Sequence, residues 1–72
     1  MRRIQIDLNR RNSAGQTLAR YEDPAPEVGE QVVVFEPEDG VRANAVIAAI
    51  EPSRSIVALD VDWASLSEHS ID

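Results

Sequence analysis

The sequence contains no cysteine and no lysine, and it has only one histidine, one tryptophan, one tyrosine and one phenylalanine among its 72 residues. Without cysteine, the chain forms no disulfide, no thiolate nucleophile and no cysteine-ligated zinc site. No apolar run approaches the roughly 18 residues of a membrane span, and no basic segment followed by an apolar one marks a signal peptide. We therefore expect a single small cytoplasmic domain.

Enzyme chemistry has little support in the sequence. The single histidine, His69, lies three residues from the end of the chain, where a solvated tail residue is expected. The three widely separated glycines do not form a phosphate-binding loop. Asp60 and Asp62 would share one face of a strand, as a paired-carboxylate cation site requires, but no organising loop accompanies them. The sequence predicts no catalytic residue, no metal site and no cofactor.

Charge is distributed unevenly along the chain, which has a net charge of −6. Residues 1–21 carry five arginines against one aspartate, residues 22–40 carry seven acids and no base, and residues 41–72 carry a net charge of −3. Such blocks form docking surfaces for charged partners, pair with each other inside the fold, or are simply solvated faces. The candidate interaction residues are Arg2, Arg3, Arg10, Arg11 and Arg20, and the candidate acidic surface is Glu36, Glu38 and Asp39.

Alternation of apolar and polar residues indicates β-strands in most of the chain. Ile4, Ile6 and Leu8 share one face of a first strand, and residues 16–21 are predicted to return as a second strand after a turn-rich segment. These two strands would form an arginine-rich N-terminal hairpin. Whether residues 1–21 join the main sheet or form a separate arm stays open.

Two further strands are predicted in the middle of the chain. Residues 31–35 are β-branched or aromatic after Gln31, which is typical of a strand buried on both faces. Residues 37–40 supply a turn, in which Gly40 is able to adopt positive φ. Residues 41–51 contain four alanines, which favour helix, but they lie between two tight turns. We expect a long bent strand there; a helix would make the fold α+β.

The C-terminal third begins with a fifth strand. Residues 56–61 alternate again, with Val57, Leu59 and Val61 pointing inward. Asp62 is predicted to cap a single helical turn over residues 63–66. Trp63 would then close one end of a barrel. If its side chain is fully buried, Trp63→Ala would lower the free energy of unfolding by about 3–5 kcal/mol. The domain would comprise residues 1–66, followed by a flexible C-terminal tail, 67–72.

Five short strands separated by regular turns predict an all-β fold, a small five-stranded barrel with one short helical turn near the C-terminus. The entry Val28-Gly29-Glu30-Gln31-Val32, the turn at 37–40 and the strand end at Val61-Asp62 resemble the central hairpins of SH3-like barrels. The resemblance covers residues 28–66. It implies a fold whose members bind peptides, nucleic acids or protein partners, and it implies no particular activity.

These observations favour a non-catalytic interaction module that contacts another protein or forms a small homo-oligomer. The first alternative is nucleic-acid binding through the arginine-rich N-terminal hairpin, although no aromatic residue lies within residues 1–15 to stack on a base. The second alternative is an acidic decoy or antitoxin-like protein, whose acidic residues would occupy a basic site on a partner.

Overall fold

Five β-strands account for most of the chain in the computed structural model, which describes residues 1–68. The strands are β1 (Arg3–Gln5), β2 (Thr17–Arg20), β3 (Gln31–Glu36), β4 (Val41–Glu51) and β5 (Ile56–Glu68). The only helical segment within residues 1–68 is a 3-10 turn at Pro52–Arg54. None of the helical structure in that range has the length and apolarity to cross a membrane. The predicted all-β class with five strands is confirmed.

The strands form one mixed sheet in the order β1-β3-β4-β5-β2. β1 pairs with β3 in parallel, whereas the other neighbouring strands are antiparallel. β1 and β2 therefore lie at opposite ends of the strand order, and the sheet is open between them. Because both strands join this sheet, residues 1–21 are part of the domain and do not form a separate arm.

The prediction that β1 and β2 pair as a hairpin is wrong. β1 instead lies beside β3, with the Val33 N–H donating to the Arg2 carbonyl at 2.9 Å. A smaller hairpin exists farther along the chain, where Arg11 forms an isolated antiparallel bridge with Thr17. Gly15 has φ of 80° in its turn, a conformation that glycine adopts without steric cost. Arg10 and Arg11 lie on the first arm of this short hairpin.

β4 is a strand over its whole predicted length, which confirms the strand interpretation of residues 41–51. Ala43, Ala45 and Ile47 are buried on one face, while β3 and β5 bond its two edges. The intrinsic helix preference of alanine is overridden by this pairing on both sides. Between Ile47 and Ala49 the register shifts by one residue relative to β5, a bulge that bends the strand as expected.

The core lies on one face of the curved sheet. Its buried members are Ile4, Ile6, Ala19, Val32, Val34, Ala43, Ala45, Ile47, Val57 and Leu59. The prediction that β3 is buried on both faces is wrong, because Val33 and Phe35 are only half-buried on the outer face. In an open antiparallel sheet, one face packs on the core and the other faces water.

β5 continues through the segment for which a helical turn was predicted. Asp62 pairs with Asn44, and Ser67 pairs with Arg42. An advance of five residues along β5 is therefore matched by only two residues along β4. Residues 63–66 accommodate the difference, and we call them the β5 bulge. The Asp62 carboxylate accepts the Ala64 N–H at 3.2 Å, as a capping residue does, but the chain does not proceed to helix.

The β5 bulge is tied to the sheet by one serine. The Asn44 N–H donates to the Ser65 hydroxyl at 2.8 Å, and that hydroxyl donates to the Asp62 carbonyl at 2.6 Å. These bonds hold the segment against β4, which explains why no helical turn forms near Trp63. The 3-10 turn at Pro52–Arg54 lies where only a turn was predicted, and Ser55 follows it with φ of 53°.

Trp63 is not the plug that the sequence predicts. Its relative exposure is 40%, because it lies on the β5 bulge and not over the core. The predicted C-terminal tail, 67–72, begins within β5, since Ser67 and Glu68 belong to that strand. Residues 69–72, including His69, lie outside the described residues.

Thr17 provides a test of the core. It is 1% exposed, and its hydroxyl oxygen has no hydrogen-bond partner among residues 1–68. Because an unsatisfied buried hydroxyl is costly, we expect Thr17→Val to raise the free energy of unfolding by about 1 kcal/mol. Urea unfolding measures the change, with Thr17→Ser as a control that keeps the hydroxyl and loses the methyl group. A Val variant less stable than the wild type contradicts this assignment.

Trp63→Ala tests the position of the tryptophan. With much of the indole ring exposed, we expect truncation to lower the free energy of unfolding by about 1 kcal/mol or less. Leu59, which is 0% exposed, is the comparison, and Leu59→Ala is expected to lose about 3 kcal/mol. Thermal and urea unfolding measure the free energy of unfolding of both variants. Equal decreases in the two variants would show that Trp63 belongs to the core.

Candidate functional site

Arg2 connects the basic N-terminus to the acidic connection between β2 and β3. Its guanidinium donates hydrogen bonds to the Glu22 carbonyl, at 3.2 Å, and to the Pro24 carbonyl. The same group lies 3.7 Å from the Glu30 carboxylate. Arg2 is therefore engaged within the chain, and at this point the oppositely charged segments pair with each other, which is one of the interpretations of the charge pattern given above.

Arg3 and Arg20 line one cleft at the open side of the sheet. The cleft has a volume of about 420 Å³ and lies between β1 and the end of β2. Phe35 and Tyr21 also line it, and the Arg3 guanidinium carbon lies 5.7 Å from the centre of the Phe35 ring. Within residues 1–68, neither Arg3 nor Arg20 forms an ion pair within 4.0 Å. The two guanidinium groups are available to an anionic ligand.

Arg10 lies on the other side of the same opening. A second cleft, of about 300 Å³, is lined by Gln5, Asp7, Arg10 and Leu18 among others. The Arg10 carbonyl accepts the Leu18 N–H at 2.9 Å, so the chain around Arg10 covers part of the outer edge of β2. Its side chain remains exposed.

Arg11 contacts the β5 bulge. Its guanidinium carbon lies 5.4 Å from the centre of the Trp63 ring, a distance at which cation–π attraction operates. Trp63 is 40% exposed and Leu66, on the same bulge, is 44% exposed. The bulge thus presents an aromatic ring, an aliphatic side chain and a neighbouring cation to solvent. Tryptophan and arginine are residue types enriched at the energetic centres of protein interfaces.

The five candidate arginines are not all on one surface. Arg2, Arg3 and Arg20 line the larger cleft, where Arg2 is engaged with the acidic connection, whereas Arg10 and Arg20 line the smaller cleft and Arg11 lies beside Trp63. Sequence reasoning missed the aromatic partners, because none lies within residues 1–15. Long-range strand pairing brings Phe35 beside Arg3, and no local pattern in the sequence signals such a contact.

The acidic candidates are also divided. Glu36 is 9% exposed and its carboxylate accepts the Glu38 N–H at 2.7 Å, so it organises the turn and differs from the expected surface position. Glu38 and Asp39 are exposed on that turn. The bond to the turn N–H offsets part of the cost of burying the Glu36 carboxylate.

The paired carboxylates on β5 take part in hydrogen bonds. Asp60 accepts the Gln16 side-chain amide at 3.1 Å, and Asp62 accepts the Ala64 N–H. Both are exposed, as predicted for a solvated strand end. Within residues 1–68, no three side chains of histidine, cysteine, aspartate or glutamate come together as a metal site would require.

No family model, no curated protein and no solved structure matches the chain.

Proposed function

We propose that this protein is a non-catalytic interaction module that docks on another protein, or on a second copy of itself, through the β5 bulge. The observation that carries the proposal is the exposed Trp63 ring with the Arg11 guanidinium 5.4 Å from its centre. Tryptophan and arginine are among the residue types most enriched in interface hot spots. Leu66 adds an exposed aliphatic side chain to the same bulge.

The construction of the bulge supports a docking role. Ser65 and Asp62 fix its backbone through hydrogen bonds to β4 and within the bulge, so the two apolar side chains are presented from a defined backbone. A preorganised surface loses less conformational entropy on binding than a mobile loop does. An exposed tryptophan contributes little to the core, whereas burial of its ring in an interface is strongly favourable.

A finer description of the fold, an SH3-like barrel, belongs to the same proposal. β1 and β2 run antiparallel to each other across the open side, as the pairing directions of the other strands require. The chain at Arg10 and Asn12 bonds the outer edge of the Gln16–Leu18 segment, so it partly bridges the opening. This arrangement supports a barrel closed by an irregular N-terminal strand, with one remaining cleft at Arg3 and Arg20.

The two alternatives draw less support from the placement of charge. A nucleic-acid phosphate backbone requires several cations along one surface, whereas Arg2 and Arg11 are engaged at separate places. An acidic decoy requires a continuous acidic surface, whereas Glu36 is buried and Glu30 pairs with Arg2. Protein contact through an exposed aromatic residue requires neither.

The test compares a bulge variant with a matched apolar control. Trp63→Ala with Leu66→Ser removes the two apolar anchors, and Val28→Ser removes a 64% exposed apolar side chain outside the bulge. Light scattering behind size exclusion, at about 50 mM and about 500 mM salt, measures self-association. We expect any dimer to survive the higher salt, because apolar contacts are not screened. The bulge variant is expected to lose the dimer, and Val28→Ser is expected to retain it.

If the protein is monomeric, capture of partners from a lysate of the source organism takes the place of light scattering. We expect specific partners on the wild type and on Val28→Ser, and their loss from the bulge variant. The proposal is wrong if the protein neither self-associates nor retains any partner in a manner that depends on Trp63 and Leu66. A dimer that dissociates at about 500 mM salt would indicate charge pairing instead.

A further inference from the structure

The open side of the sheet has backbone groups that no strand satisfies. The Val33 N–H donates to the Arg2 carbonyl and the Ile6 N–H donates to the Phe35 carbonyl, so these alternate residues of the first strand face β3. By strand alternation, the N–H and carbonyl groups of Arg3 and Gln5 point away from β3, toward the cleft. The edge of β1 can therefore accept another strand.

The opposite wall of the cleft is similarly arranged. The Tyr21 N–H donates to the Ser55 carbonyl and the Leu18 N–H to the Arg10 carbonyl. Tyr21 thus faces β5, whereas the backbone groups of Arg20 point into the opening. Free edges of this kind are the usual site at which an extended peptide adds to a sheet.

Charge indicates the kind of peptide. The charged side chains that β1 and β2 themselves carry on the outer face beside the opening are both arginines, Arg3 and Arg20. Both line the larger cleft and neither is paired within residues 1–68. A carboxylate placed between two guanidinium groups gains charge-assisted hydrogen bonds and relieves their mutual repulsion.

We propose that the cleft between β1 and the end of β2 binds an acidic peptide segment in an extended conformation. The segment adds to the free edge of β1 at Arg3 and Gln5 and places one carboxylate between Arg3 and Arg20. Its alternate side chains are apolar, because they face the core side of the sheet near Ile4 and Ala19. This surface is separate from the β5 bulge and does not depend on it.

The surroundings of the cleft restrict how the segment lies. Glu22 and Asp23 line the larger cleft, and Asp7 lines the smaller one. These carboxylates repel acidic residues at the two ends of the bound segment, so the carboxylate of the peptide is favoured at the segment's centre. Cα atoms of β1 and β2 approach within 8 Å of each other, whereas an inserted strand needs about 9.6 Å between its two neighbours. Binding therefore requires the two edges to move apart by at least about 1.6 Å where they lie closest.

The experiment uses a fluorescein-labelled peptide of alternating valine and glutamate residues, with fluorescence anisotropy as the readout on the full chain. We expect Arg3→Gln with Arg20→Gln to weaken binding by about tenfold or more, through loss of the charge-assisted bonds. Arg42→Gln, an exposed arginine on β4 outside both clefts, is the control and is expected to leave the affinity unchanged. Trp63→Ala is likewise expected to have no effect, which separates this site from the β5 bulge.

Two measurements on the wild-type protein do not depend on whether a variant folds. The same peptide methylated on alternate backbone nitrogens keeps its charge but cannot donate to the edge of β1, and we expect it to lose binding. Amide hydrogen exchange at Arg3 and Gln5 is expected to slow when the unmethylated peptide binds. Equal binding of both peptides, or exchange that does not change, would refute strand addition.

A single-stranded oligothymidylate distinguishes peptide from nucleic acid. We expect it to bind more weakly than the acidic peptide, because a nucleotide backbone does not supply the N–H and carbonyl pattern that a strand edge requires. Tighter binding of the oligonucleotide, lost in the variant that combines Arg3→Gln and Arg20→Gln, would overturn the proposal and assign the cleft to nucleic acid.

Discussion

The antiparallel pairing of β4 with β5 is the interaction on which the rest of this structure depends. It joins the two longest strands and places Ile47 opposite Leu59, both almost fully buried. β3 adds to the free edge of β4 and β2 to that of β5, so every other strand reaches the sheet through this pair. In a chain of 72 residues the buried surface is small, and seven of the twelve buried apolar residues within residues 1–68 lie on these central strands.

Some of the charges that are separated along the sequence pair with each other inside the fold. Arg2 pairs with Glu30 and bonds two carbonyls of the acidic connection, which fastens that connection near the start of β1. Of the other N-terminal arginines, Arg3 and Arg11 lie beside aromatic rings, and Arg10 and Arg20 line open clefts. An uneven charge distribution thus has two consequences here: one ion pair that closes the fold, and separate cationic positions that are left for ligands.

The local sequence pattern, that is alternation, β-branched composition and turn spacing, was enough to predict the five strands, and the period of two placed Ile4, Ile6, Val57 and Leu59 on the core face. It was not enough for the partner of β1, since a parallel neighbour from residues 31–36 leaves no local signal. The bulge shows the same limit. Asp62 carries a capping signal for helix, but the Ser65 hydroxyl bonds Asn44 on another strand. The contact between Arg11 and Trp63 likewise depends on this long-range geometry.

The irregular parts of the sheet are where surfaces for partners arise. Regular pairing consumes backbone donors and acceptors and buries apolar side chains, so it leaves little for another molecule to recognise. The β5 bulge interrupts the ladder with β4 and turns Trp63 toward solvent. The gap between β1 and β2 interrupts closure and leaves Arg3, Gln5 and Arg20 with free edge groups. A closed barrel with uninterrupted strands would have had neither surface, so the departures from the simplest β-fold are the features that favour an interaction role.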